Sequence, residues 1–162
     1  MKEIIARRAM AFVVRSIAVI LTFGLAASLF AQQRAVEEGP RRFCAVDIYL
    51  DSKGAPLAAY QIEFAVTNGA ARIVGIEGGE HAAFRAPPHY DPKAIQNERA
   101  IIAAFTLAPA NTLPSGRIRI ATIHLVVFGK SWPEFDLKLH TAADNKGAKI
   151  PAELTRQTNE AK

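Results

Sequence analysis

The sequence predicts an all-β domain, an antiparallel β-sandwich of the jelly-roll or immunoglobulin-like type, preceded by an N-terminal signal helix. Three observations predict this architecture. Seven or eight short segments alternate apolar and polar residues with the two-residue period of a half-buried strand. Residues typical of turns, chiefly glycine, proline, asparagine and aspartate, separate these segments. Before them, a basic start leads into one uncharged apolar stretch.

The N-terminal stretch has the three parts of a secretory signal peptide. Residues 16–31 carry no charge and end in small residues, so cleavage is expected after Ala31 or Ser28. The alternative is an uncleaved membrane anchor, because this length lies just below the ~17 to 25 residues of a spanning helix. Both interpretations export the rest of the chain. The cations that precede the stretch are Lys2, Arg7, Arg8 and Arg15.

The charge balance argues against nucleic-acid binding. The chain has 20 Lys and Arg against 15 Asp and Glu, a net charge of +5. Most of this excess lies in residues 1–31, and the other cations are dispersed along the sequence. Cys44 is the single cysteine, so no internal disulfide can form and a packed core must hold the domain together. We expect Cys44 to be a small apolar strand residue.

The first half of the exported chain begins with a polar segment and then alternates. Residues 32–42 show no period and predict a flexible lead-in, and the folded domain is expected over 43–156. The first strand starts at Phe43, and the second, over 60–66, has the clearest alternation in the chain. After a third strand over 72–77, residues 78–97 predict a long loop that is either functional or mobile, with room for a short helix within 93–98.

The second half adds four strand segments. They cover residues 98–106, 117–128, 132–141 and 149–154, and a disordered tail is expected over 157–162. The apolar register of the long strand changes near Ala121, which predicts either a β-bulge or burial on both faces.

Three segments resemble the cohesin family of the carbohydrate-binding-module-like superfamily. They are PLAAYQIEFAV at 56–66, RIVGIEGG at 72–79, and IIAAFT at 101–106 paired with SGRIRIATIHLVV at 115–127. The resemblance covers about residues 44–154. Two features depart from the family pattern: residues 32–42 do not look like its additional N-terminal strand, and the 78–97 segment is longer than the usual connection.

The cohesin resemblance implies an exported, non-catalytic recognition module. It implies binding, through one sheet face, of a dockerin-like protein module or of a polysaccharide in extracellular polysaccharide degradation. Carried over strand by strand, the face includes the outward residues Gln61, Glu63, Asp136 and Lys138. The alternative is a membrane-tethered structural or envelope domain that pairs an exposed sheet edge with a partner.

Four aromatic residues are further ligand-binding candidates, because sugar rings stack on flat aromatic side chains. These residues fall outside the core alternation or precede a proline, and loop packing is the other explanation for each of them. They are Tyr49, Phe84, Tyr90 and Trp132.

The sequence offers no constellation for catalysis or metal binding. No serine lies in a nucleophile-elbow motif, and the 144–147 segment lacks the bidentate glutamate of a calcium loop. We therefore expect no enzyme activity, no cofactor and no metal. The acidic residues and histidines near the long loop match no metal-ligand spacing; they are Glu77, Glu80, His81, His89 and Asp91.

Overall fold

The computed structural model of the protein describes residues 40–95 and 98–160, so the predicted signal segment lies outside the described residues. Two four-stranded antiparallel sheets enclose one apolar core, which confirms the predicted all-β sandwich. Among the described residues, no helix has the length and apolarity needed to span a membrane. The elements are β1 (Arg41–Asp51), β2 (Ala59–Asn68), β3 (Ala71–Gly78), β4 (His89–Tyr90), α1 (Pro92–Ile95), β5 (Arg99–Phe105), β6 (Arg117–Phe128), β7 (Glu134–Ala143) and β8 (Glu153–Glu160).

The strands form two sheets, which we call sheet A and sheet B. Sheet A has the order β3-β6-β1-β8, and sheet B has the order β4-β5-β2-β7. In both sheets the apolar residues that alternate along the strands point towards the core. The buried side chains of β1 include Val46, Ile48 and Leu50, and those of β2 include Tyr60, Ile62 and Phe64. Each buried aliphatic or phenylalanine side chain contributes about 1.5–3 kcal/mol to folding, so the core can hold the domain together without a disulfide. Cys44 is a buried residue of β1, as expected.

A β-bulge explains the register change that the sequence shows in β6. Ile48 of β1 lies opposite Ala121, and the next residue, Tyr49, lies opposite Arg119, so Ile120 has no partner across the ladder. The extra residue moves the apolar side chains from one parity to the other while keeping them in the core. Thr122 is also buried, on the outer side of the sheet, where its hydroxyl donates to Asp47 at 2.6 Å.

Both ends of the folded chain extend further than the sequence predicts. The ladder with β6 begins at Arg41, two residues before Phe43. β8 continues to Glu160, so residues 157–160 are a strand and not part of a disordered tail. The last strand was predicted over 149–154 and lies further along the chain, because few residues on its inner side are apolar. Leu154 lies opposite Leu50, but the next residue on the same side is Arg156, whose guanidinium lies 5.3 Å from the centroid of the Phe135 ring.

The 78–97 segment packs onto the core through the buried side chain of Phe84. A 3-10 turn spans Ala82–Phe84, and the Nδ1 atom of His81 accepts a hydrogen bond from the Ala83 amide at 3.2 Å. The Phe84 ring packs edge-on against Tyr60 with centroids 5.3 Å apart. A short helix follows at Pro92–Ile95, one residue before the place where the sequence allowed for it.

Candidate functional site

The outward side of sheet B is the candidate site, and we call it the sheet B face. It contains the four residues that the cohesin resemblance selected. Gln61 is exposed and Glu63 is half-buried on β2, and Asp136 and Lys138 are exposed on β7. Lys138 lies directly opposite Glu63 in the ladder. Because β2 is flanked by β5 and β7, its outward residues are at the centre of this face.

An ion-paired cluster occupies the middle of the sheet B face. The Arg99 Nε atom donates to Glu63 Oε1 at 2.6 Å, and His140 Nε2 lies 3.1 Å from Glu63 Oε2. The hydrogen bonds from Arg99 and then His140 lower the pKa of Glu63 to about 2. The carboxylate is therefore ionised throughout the physiological pH range, and two strands hold it in one orientation.

An exposed aromatic side chain, Phe105, lies on the outward side of β5, four residues beyond Ile101, which is opposite Glu63. Phe105 is 66% exposed at the end of the strand, and Leu107, just beyond it, is 92% exposed. Ile101 and Ala103 are half-buried on the same side, opposite Glu63 and Gln61. A face of this kind, with apolar anchors beside oriented charges, has the composition of a protein-binding surface.

Sequence reasoning missed Phe105, Leu107, Arg99 and His140 as parts of this face. The segment 98–106 is apolar at both parities, so its outward side could not be recognised from periodicity. The available signal was a phenylalanine and a leucine at the end of the segment, four and two residues before Pro109.

The four aromatic candidates do not come together. Phe84, named above as a ligand-binding candidate, is 2% exposed and belongs to the core, so the other explanation, packing, applies to it. Tyr49 lies on the outer side of sheet A, where the Arg117 guanidinium covers its ring at 3.8 Å. Tyr90 lies on the edge strand β4, and Trp132 lies in the connection between the sheets. These positions form no continuous platform for a sugar chain.

The acidic residues in and beside the 78–97 segment contact other residues of the domain. Glu80 Oε1 accepts from the Arg119 amide at 3.1 Å, and Glu77 Oε1 lies 3.0 Å from His124 Nε2. Within residues 40–95 and 98–160 no cluster of histidine, cysteine and carboxylate side chains could hold a metal ion. Ser52 is fully buried, and its hydroxyl donates to the Ala55 carbonyl and accepts from the Gly116 amide.

A shallow open depression of about 480 Å³ lies beside the same loop. Two acids and two arginines line it, so its charges balance. Arg119 is already engaged there, because its Nη1 atom donates to Gly78 O at 3.3 Å and to the Thr122 hydroxyl. The depression offers no uncompensated charge, and the sheet B face remains the better candidate. Its lining is Glu77, Gly78, Gly79, Glu80, Arg85, Pro87 and Arg119.

Comparisons with known proteins identify the fold. No family model matches the chain, and no curated protein matches its sequence. Among solved structures, the complex of CaDoc0917 with CaCohA2, the latter from Clostridium acetobutylicum, contains a similar chain. The TM-score is 0.54 at 10% identity, over 70% of this chain and 84% of that one.

Two further solved structures are similar to the same extent. The non-cellulosomal cohesin from the archaeon Archaeoglobus fulgidus gives a TM-score of 0.51 at 8% identity, over 70% of this chain and 75% of that one. A type I cohesin–dockerin complex from Clostridium thermocellum gives 0.50 at 13% identity, over 70% and 82%. Identities this low show the fold alone. The domain has a cohesin-like β-sandwich fold, as the sequence resemblance implied.

Proposed function

We propose that the chain is an exported, non-catalytic recognition module whose sheet B face binds a dockerin-like protein module. The observation that carries the proposal is that exposed Phe105 lies on the same sheet face as the fixed Glu63–Arg99–His140 cluster, with exposed Leu107 two residues further along the chain. The apolar side chains supply area that a partner can bury, and the charges select the partner's orientation.

The rigidity of the face supports a binding role. Glu63 and Gln61 alternate with Ile62 and Phe64, which are fully buried in the core. A side chain fixed on such a strand loses little further freedom when a partner binds, so less of the contact energy is spent on ordering. A flexible loop would lack this advantage.

The fold supports the same class of function by analogy. One similar structure is described as a type I cohesin–dockerin complex. Fold analogy does not transfer a ligand by itself. It does make a protein module the first partner to test, and the separated aromatic residues make a polysaccharide the second.

Export is proposed from the sequence. The basic start and the uncharged residues 16–31 are those of a signal peptide or an anchor. Fractionation of cells that produce the chain separates the two. A mature N-terminus near Gln32 in the soluble exported fraction indicates cleavage, and an intact N-terminus in the membrane pellet indicates a tethered module.

The binding experiment measures affinity for a panel of purified dockerin modules by isothermal titration calorimetry, with soluble glucans in parallel. We expect at least one dockerin to bind. Phe105→Ser is expected to weaken that binding on the order of tenfold, which corresponds to about 1.4 kcal/mol. The matched control is Phe43→Ser, since Phe43 is 60% exposed on sheet A and should leave the affinity unchanged.

Three results would contradict the proposal. The first is that no dockerin module binds the folded protein. The second is that glucans bind and dockerins do not. The third is that Phe43→Ser weakens dockerin binding as much as Phe105→Ser, because the contact would then lie outside the sheet B face.

A further inference from the structure

One end of the sandwich collects cations and aromatic side chains that lie far apart in the sequence, and we call it the basic-aromatic end. The connection after β6 meets the start of β1 there: the Gly129 amide donates to the Pro40 carbonyl at 3.0 Å. The cations are dispersed along the sequence, but the fold brings four of them together at this end. Its members are the cations Arg41, Arg42, Arg72 and Lys130 and the aromatic residues Phe43, Phe128 and Trp132.

Stacking fixes the arginines of this end on the rings. The guanidinium carbons of Arg41 and Arg72 lie 5.9 and 6.0 Å from the centroid of the Phe128 ring. Arg42 lies 4.3 Å from the centroid of Trp132, and its Nη2 atom donates to the carbonyls of Lys130 and Ser131 at 3.0 Å each. A guanidinium stacked on a ring keeps its full charge while the ring presents an apolar edge beside it.

Apolar surface is exposed next to these charges. Phe43 is 60% exposed, Val74 is 55% exposed, and Trp132 is 39% exposed. Two acidic residues of the described chain also lie near this end, Glu134 at the start of β7 and Glu160, which is opposite Cys44 in the ladder of β1 and β8. The four cations outnumber them. Cations next to exposed aromatic rings match the interface of an anionic membrane, where phosphates meet the acyl chains.

The chain itself leads from this end towards the uncharged segment. Residues 32–39 separate Pro40 from residues 16–31. At about 3.3–3.6 Å per residue, eight extended residues span less than about 30 Å. Pro40, the first residue that the structure describes, belongs to this end, because its carbonyl accepts the hydrogen bond from Gly129.

We propose that the basic-aromatic end binds the surface of anionic phospholipid membranes. The occupant of this surface is the phosphate layer of the lipid, with Phe43 and Trp132 inserted between headgroups. The interaction is independent of the sheet B face, so the binding of a partner module and the binding of lipid are separate properties.

The test uses the full chain reconstituted in vesicles, with Trp132 as the reporter because it is the single tryptophan of the chain. Vesicles of phosphatidylcholine alone are compared with vesicles that also contain phosphatidylglycerol. In the anionic vesicles we expect the Trp132 emission to shift to shorter wavelength and to be quenched by brominated phosphatidylcholine. High salt should reverse both changes, because it screens the charges.

Variants locate the contact. The double variant Arg41→Glu/Arg72→Glu should abolish the shift and the quenching. The matched control reverses Lys146 and Lys149, exposed residues of the connection after β7 at the other end of the sandwich, and should retain both signals. Circular dichroism verifies that each variant is folded. Trp132 keeps its own neighbour Arg42 in every variant, so its signal reports on lipid.

Three outcomes would overturn the proposal. Trp132 emission and quenching that are the same in neutral and anionic vesicles would show that anionic lipid is not what this end recognises. Loss of the signal in the Lys146/Lys149 control would show a non-specific effect of net charge. A shift produced by duplex DNA but not by anionic lipid would assign the cations to nucleic acid instead.

Discussion

Phe84 provides the sharpest test of how the 78–97 segment is held. The side chain is 2% exposed and packs edge-on against Tyr60 at 5.3 Å between centroids. Truncation of a buried phenylalanine to alanine costs about 3–5 kcal/mol, because transfer energy is lost and a cavity remains. The loss of the aromatic pair is part of that cost. We therefore expect Phe84→Ala to remove a large share of the ~5–15 kcal/mol that stabilises a domain of this size.

Urea unfolding measures this loss. With a slope of about 2 kcal/mol per molar urea, a loss of about 4 kcal/mol lowers the midpoint by roughly 2 M. Phe84→Leu refills most of the volume, so it should lose clearly less and keeps the measurement possible if the alanine variant does not fold. Tyr90→Ala is the control from the same segment: Tyr90 is 40% exposed, and its loss should change stability by about 0.5 kcal/mol or less.

The reasoning about Phe84 fails if Phe84→Ala and Tyr90→Ala lose the same stability. In that case the segment would be a surface loop whose aromatic residues are free to bind a ligand, as the sequence allowed. If the expected difference is found, Phe84→Ala should still bind its partner at a temperature where the variant is folded, because Phe84 does not reach the sheet B face.

Two further predictions concern a glycine and a carboxylate. Gly79→Ala should destabilise the domain by about 1–3 kcal/mol, because the new Cβ would meet the Arg119 carbonyl oxygen. In the control Gly75→Ala the new Cβ makes only an ordinary contact with the His124 side chain, at 3.8 Å, so the loss should be smaller. Equal unfolding midpoints for the two variants would contradict this. NMR titration of Glu63 should show a midpoint near pH 2 instead of 4.5, and Arg99→Ala should raise it. Because the folded pKa lies below the unfolded one, this stabilisation is present above about pH 4.5 and is lost as the pH falls towards 2; an unshifted midpoint would refute the ion pair.

The sequence was informative where the two sides of a strand face different environments. β2 could be predicted because Ile62 and Phe64 face the core while Gln61 and Glu63 face outward. β8 could not be placed correctly, since it lies at a sheet edge and backbone pairing with β1 holds residues that are mostly polar. The burial of Phe84 could not be predicted, because its segment has no period and because the ring packs against Tyr60, which lies on β2, far away in the sequence.

The candidate site was predicted only to the extent that it follows from alternation. Outward residues of β2 and β7 could be selected, but the ion pair between Glu63 and Arg99 joins strands 36 residues apart. The basic-aromatic end could not be predicted for the same reason. Arg42 and Lys130 are separated by 88 residues in the sequence, and they meet because β1 and β6 are neighbours in sheet A. Local patterns specify which way a side chain points, and strand pairing specifies which side chains become neighbours.

The two proposed surfaces are formed by different residues, and this arrangement separates their tests. Phe105 belongs to the outward side of sheet B, whereas Phe43 belongs to the outward side of sheet A. Neither side chain contributes to the core between the sheets, so a substitution at one should leave both the fold and the other surface intact. A module that bound lipid through the basic-aromatic end would therefore still present the sheet B face to a partner. Failure of lipid binding would leave partner recognition standing, and the reverse also holds.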